Sequence, residues 1–85
     1  MIVAVIGLGY IGLPTAALMA SKGIKVVGID VNQHVVDTIN EGKIHIVEPD
    51  LDILVQSSVQ NGNLRATTET EKADIFIVAV PTPFQ

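Results

Sequence analysis

Met1-Ile2-Val3-Ala4-Val5-Ile6, then Gly7-Leu8-Gly9-Tyr10-Ile11-Gly12, then Val26-Val27-Gly28-Ile29-Asp30 is the stretch that decides the fold. An apolar run long enough for one strand leads directly into a G-x-G-x-x-G turn. A helix pattern rich in small residues follows, and a second apolar run ends on an acid. The glycines alone are weak evidence, because glycine punctuates many unrelated turns. Their context is specific: Asp30 stands 18 residues past Gly12, close to the separation of about 20 found in dinucleotide-binding βαβ units. In such a unit the first glycine permits the tight turn. The second lets backbone approach a pyrophosphate, and the third lets the helix pack on the strand.

Working outward, Ile2 to Ile6 is predicted as strand one and Tyr10 to Ser21 as a helix, with Ala16, Ala17 and Ala20 allowing close approach to a sheet. Pro14 falls in the first helical turn, where a missing N–H costs little. Lys22-Gly23 closes the helix, and Lys25 to Ile29 is strand two. Asn32 is placed to cap a helix over Gln33 to Glu41, whose apolar face is Val35, Val36 and Ile39. Asp50 is placed to cap a third helix carrying Leu51, Ile53, Leu54, Val55 and Val59. Asn61-Gly62-Asn63 is a turn signal, followed by a short strand over Leu64 to Thr67. Thr68 to Lys72 reads as a polar crossover of about one helical turn, and Asp74 to Val80 as strand four, stopped by Pro81-Thr82-Pro83. This alternation predicts an α/β, Rossmann-like doubly wound parallel sheet of four strands in the order 3-2-1-4. By this pattern residues 1–85 are expected to be the N-terminal part of a dinucleotide-binding domain, about one half-fold plus one strand.

Composition narrows the function classes. The chain is 48% hydrophobic with a mean hydropathy of +0.49, as expected for strands buried on both faces or for an apolar face made for a partner. No apolar stretch is long enough to span a bilayer, and no basic segment precedes the first apolar run. A soluble cytoplasmic protein with no membrane association is the expectation. A net charge of −4 argues against electrostatic nucleic-acid binding. Cysteine is absent, which removes disulfides, thiolate metal sites and any cysteine nucleophile from these residues.

Several residues carry chemistry. The amides of Tyr10 and Ile11 lie at the start of the first helix, where unpaired donors and the helix dipole favour a diphosphate. Asp30 is placed to accept from a ribose hydroxyl, and its charge would repel a 2′-phosphate. No arginine lies in Val31-Asn32-Gln33-His34, so NAD is favoured over NADP. Thr82, within Val80-Pro81-Thr82-Pro83, falls at the end of strand four beside the cofactor crevice, although such a segment is more often a plain strand terminator. His34 and His45 are isolated, so no metal site is expected. Glu48 and Asp50 flank Pro49 in a turn, and no Ser/His/Asp arrangement is present.

Together, Val5-Ile6-Gly7-Leu8-Gly9-Tyr10-Ile11-Gly12-Leu13-Pro14, Gly28-Ile29-Asp30, Ile39-Asn40-Glu41-Gly42, Glu48-Pro49 and Val80-Pro81-Thr82-Pro83 resemble the N-terminal end of the nucleotide-sugar 6-dehydrogenases, the UDP-glucose/GDP-mannose dehydrogenase family. Within it, Asp30-Val31-Asn32-Gln33-His34, Asp37-Thr38-Ile39-Asn40 and Lys43 to Leu51 are most similar to the branch acting on UDP-N-acetylmannosamine. The resemblance implies that residues 1–85 are the N-terminal part of an NAD-binding domain whose catalytic and substrate domains lie outside the chain. It implies that Gly7, Gly9, Tyr10, Ile11 and Gly12 surround the NAD diphosphate, Asp30 the adenosine ribose and Thr82 the cofactor near the cleft. It also implies oxidation of a UDP-sugar C6 alcohol to the carboxylate with two NAD, through a thioester on a cysteine, in a protein that self-associates. The required cysteine and lysine are not in these 85 residues, so the chain alone is expected to be catalytically silent. Val35 departs from the pattern, since many UDP-glucose members carry a basic residue there; His34 is the nearest substitute. Two alternatives stay open: another dehydrogenase with the same N-terminal fold (UDP-glucose or β-hydroxyacid), and a regulatory domain that senses NAD or another nucleotide without chemistry.

Overall fold

β1 (Ile2–Ile6), α1 (Gly12–Ser21), β2 (Lys25–Ile29), α2 (Gln33–Asn40), α3 (Leu51–Gln60), β3 (Leu64–Thr67) and β4 (Ile75–Val78) follow in chain order in the computed structural model, which describes residues 1–79. The four strands are all parallel and stand in the order β3-β2-β1-β4, as the alternation of elements predicts. Register places Ile6 level with Ile29 and Val78, and Ile29 level with Thr67. All four strands therefore release their chains at one rim.

The pleat divides the apolar residues between two faces. Val3, Val5, Val26, Leu64 and Ala66 point toward the three helices and form the main core with Ala16, Ala17, Ala20, Val35, Val36, Ile39, Leu51 and Val55. Ala16, Ala17 and Ala20 of α1 have no exposed surface, and with the equally buried Leu13 they form the face this helix lays on the sheet. The other face carries Ala4, Val27 and Ile29, against which Ala73 of the β3–β4 connection packs. β1 and β2 are thus buried on both sides, in line with their continuous apolar sequence. β4 is not: Phe76 is 48% and Val78 66% exposed.

Two local expectations need correction. Thr68 to Lys72 forms no helix. The connection must pass three strand spacings of about 4.8 Å and also return to the opposite end of the sheet. The seven residues from Thr68 to Asp74 supply about 23 Å when extended but only about 10 Å when helical. The segment crosses extended and is held by a bidentate pair between the Arg65 guanidinium and the Glu71 carboxylate. That hydrogen bond, more than the charge itself, holds the Glu71 carboxyl below its ordinary range. Asp50 does not cap α3 through its side chain. It adopts a left-handed backbone (φ 65°) without a capping bond, a conformation that Asp tolerates better than most residues, and the Glu48 carbonyl accepts the Leu51 amide instead. Ile53 is 62% exposed because the buried face of α3 follows Leu51, Val55 and Ser58, a helical spacing that excludes it.

Asn32 caps α2 as expected, accepting from the amides of His34 and Val35. α1 ends in a Schellman turn, with Gly23 (φ 91°) donating to the Ala20 carbonyl and Ile24 to that of Met19. At the far end of α2, the Asn40 side chain donates to the Ala66 carbonyl (2.9 Å) and accepts the Ala66 amide (2.8 Å). It occupies the hydrogen-bonding position of a further strand and closes the outer edge of β3. Replacing Asn40 with Ala leaves two part-buried backbone groups unpaired, and equilibrium urea unfolding is expected to show a loss of about 2 kcal/mol.

Candidate functional site

The rim where the strands end is built by the turn after β1. Gly7 takes a φ of 95°, which only glycine adopts freely, and its amide donates to the Ile29 carbonyl at 2.8 Å. The turn is therefore bonded to β2 from its first residue. Gly12 opens α1 in close contact with that turn. A Cβ there would lie 1.7 Å from the Gly7 carbonyl oxygen and 3.3 Å from the Ala79 methyl. Gly9 is different. A Cβ at Gly9 would meet no protein atom within 4 Å, so the protein's own packing does not demand glycine there.

Between them, Tyr10 and Ile11 are 66% and 72% exposed. Both precede α1, which begins at Gly12 and has Ile11 as its N-cap with no side-chain capping bond and no acid in its first turn. The first amides paired along this helix are those of Leu13, to the Gly9 carbonyl, and Thr15, to that of Ile11. Among the described residues, the amides of Tyr10, Ile11 and Gly12 have no acceptor, which leaves a cluster of free donors at the positive end of the helix dipole.

Asp30 stands where β2 leaves the sheet, half-buried. Its amide donates to the Thr67 carbonyl (3.1 Å). Its carboxylate accepts from the amides of Leu8 (2.9 Å) and Asn32 (3.0 Å). Leu8, which the glycine pattern treats as a spacer, is 1% exposed. It packs over Gly28, where a Cβ would come within 2.8 Å of the Leu8 Cδ2. Leu8 and Gly28 are thus site-shaping residues that sequence reasoning missed. Their signal was an apolar residue inside the glycine turn and a glycine inside an otherwise bulky strand.

A pocket of about 440 Å³ opens beside the turn, bounded by Gly9, Tyr10, Ile11, Thr15, Ile77, Val78 and Ala79. A smaller recess of about 100 Å³ lies across the rim, against Ile6, Gly7, Ile29, Asp30 and Val31. The larger depression of about 700 Å³ that includes Ile2, Thr70, Asp74 and Phe76 is at the opposite end of the sheet, away from these donors. Gly7, Gly9, Tyr10, Ile11, Gly12 and Asp30 are accordingly brought together at one rim, while Thr82 lies outside the described residues. Val35 is buried in the core, so a side chain at that position faces the sheet, and His34 is the exposed neighbour. Among the described residues, no cluster of three potential metal ligands occurs, and no helix is long and apolar enough to cross a membrane.

A glycine turn feeding a helix, an acid closing the next strand and a doubly wound parallel sheet define a dinucleotide-binding module. The chain belongs to the UDP-glucose/GDP-mannose dehydrogenase family, whose NAD binding domain profile matches residues 1–85. It is 69% identical over 83 residues to a UDP-N-acetyl-D-mannosamine dehydrogenase of Campylobacter jejuni, covering 98% of this chain and 20% of the relative. It is 66% identical over 82 residues to an NDP-N-acetyl-D-galactosaminuronic acid dehydrogenase of Ralstonia nicotianae, covering 96% and 19%. Among solved structures, GDP-mannose dehydrogenase from Pseudomonas aeruginosa superposes with a TM-score of 0.95 at 37% identity, over 100% of this chain and 20% of that one. The UDP-N-acetyl-mannosamine dehydrogenase of Staphylococcus aureus gives 0.94 at 43%, over 98% and 20%. The chain therefore spans about a fifth of the length of the relatives it matches.

The contact at Gly12 has a direct consequence. Gly12→Ala sets a methyl group against backbone that cannot rotate away, and is expected to cost about 2 kcal/mol or more in thermal or urea unfolding. Gly28→Ala meets only the flexible end of Leu8 and is expected to cost less.

Proposed function

We propose that these residues form the adenosine and diphosphate half of the NAD site in an enzyme that oxidises the C6 alcohol of a UDP-N-acetylhexosamine, UDP-N-acetyl-D-mannosamine, to its uronate. The observation that carries the cofactor half is Gly9. Gly7 and Gly12 are explained by the turn and by helix packing. At Gly9 the space a side chain would fill is open, which suits the approach of a bulky anion to the backbone. The amides of Tyr10, Ile11 and Gly12, which have no acceptor among the described residues, supply the donors for that anion.

Asp30 supplies the acceptor for the ribose. An ionised carboxylate offers about four acceptor positions, and the amides of Leu8 and Asn32 use two. The remaining lone pairs can take ribose hydroxyls, while the charge disfavours a 2′-phosphate. When bound, NAD supplies a hydride acceptor; the alcohol-to-carboxylate conversion removes four electrons and consumes two NAD and one water. This chain's part is to hold the cofactor. With no cysteine in the sequence, covalent chemistry falls to residues outside it. The loop Lys43-Ile44-His45-Ile46-Val47-Glu48-Pro49-Asp50-Leu51 and the identity to the Campylobacter jejuni relative support the choice of sugar.

Two experiments test this reading. Gly9→Val is expected to leave the melting temperature nearly unchanged while weakening NAD binding by about a hundredfold, measured by calorimetric titration. Unaltered NAD affinity in that variant overturns the diphosphate assignment. For the sugar, NADH formation by the protein carrying this chain is expected to be faster with UDP-N-acetylmannosamine than with UDP-N-acetylgalactosamine or UDP-glucose; the reverse order overturns the sugar choice alone.

A further inference from the structure

We propose that Asp30 is the brace that shapes the glycine turn before any nucleotide arrives, so that one carboxylate serves both the ribose and the diphosphate subsites. The brace is read from hydrogen bonds within the protein itself; only its consequence for NAD rests on the proposed cofactor site.

The two oxygens of Asp30 face two backbone donors from different segments. Oδ2 accepts the Leu8 amide, inside the glycine turn, and Oδ1 accepts the Asn32 amide, at the cap of α2. A group between two N–H donors must present an acceptor to each. A carboxylate does so. A carboxamide has one oxygen, and its NH2 would oppose the second donor. The pattern therefore requires Asp and excludes Asn, a stricter demand than ribose recognition alone would impose.

The bond to Leu8 acts on a residue already held by its side chain, which is buried over Gly28. With the Gly7 amide on the Ile29 carbonyl, two successive amides of the turn are tied to the end of β2. Gly7 and Leu8 face β2, whereas Gly9, Tyr10 and Ile11 are exposed at the rim, where the amides of Tyr10, Ile11 and Gly12 have no acceptor among the described residues. Removing the brace releases the turn that presents those donors. Asp30 is thus a positioning residue for the diphosphate as well as a ribose acceptor, and changing it cannot simply convert NAD preference into NADP preference.

Amide hydrogen exchange resolved to single residues, on the ligand-free protein carrying this chain, tests the brace directly. In the unaltered protein the Leu8 and Asn32 amides are expected to exchange about tenfold or more slowly than those of Tyr10 and Ile11. Equal exchange overturns the proposal and needs no variant. In Asp30→Asn and Asp30→Ala, the Leu8 amide is expected to exchange about tenfold faster while Val27 and Ile39 stay protected, reporting an intact core. Asp30→Glu, which keeps two oxygens, is expected to restore part of the protection. Unchanged Leu8 exchange in both Asn and Ala variants overturns the brace. In the same variants NAD binding is expected to fall about tenfold or more with no gain in NADP binding; a clean switch to NADP overturns the shared role. Failure of the unaltered protein to bind NAD would count against the cofactor assignment instead, leaving the exchange result to stand.

Discussion

The close approach of α1 to the turn after β1 is the contact on which the rest of the molecule depends. Gly12 lies so near the Gly7 carbonyl that a Cβ would overlap it. That proximity lets the alanine face of α1 settle on the sheet, since a helix held farther out would leave Ala16, Ala17 and Ala20 without partners. It also aims the start of α1 at the rim where all four strands end. The same contact that closes the core thus places at the rim that also carries Asp30 three amides with no acceptor among the described residues.

Burial and polarity divide cleanly around this arrangement. The helix face of the sheet is packed with aliphatic side chains, whereas the opposite face is covered over β1 and β2 by a thin extended connection. A covering this thin is effective because small side chains suffice above Ala4 and because Arg65 and Glu71 fasten the strap from outside. Backbone groups at the sheet's outer boundary are handled by a side chain: Asn40 satisfies Ala66 in the manner of another strand. The β3 edge is therefore closed by polar pairing, and the exposed apolar residues of β4 mark the side with no such cover among the described residues.

Most of the architecture was legible because it follows from periodicity and punctuation. Apolar runs of strand length, alanines at helical spacing, and glycines after each helix have few alternative readings. The misreadings have local physical causes. Thr68 to Lys72 has helix-compatible residues, but the distance it must cross requires an extended chain, and distance is invisible to propensity. Asp50 stands before a helix as a cap would, yet its left-handed backbone leaves the side chain without a capping bond. Of the residues gathered at the candidate site, Gly7, Gly9, Gly12 and Asp30 were singled out by spacing. Leu8 and Gly28 there, and Asn40 at the β3 edge, were not, because their roles come from partners 20, 20 and 26 residues away.

The sequence by itself determined the element order, the parallel sheet and the positions of the glycines and the acid, because each depends on side chains within a few residues along the chain. Only the tertiary structure decided which glycines serve packing and which leaves space, which amides remain free, and that Asp30 accepts from Leu8 and Asn32. These are matters of distance between segments remote in sequence. A hydrogen bond or a steric limit exists only once the sheet has brought its partners together.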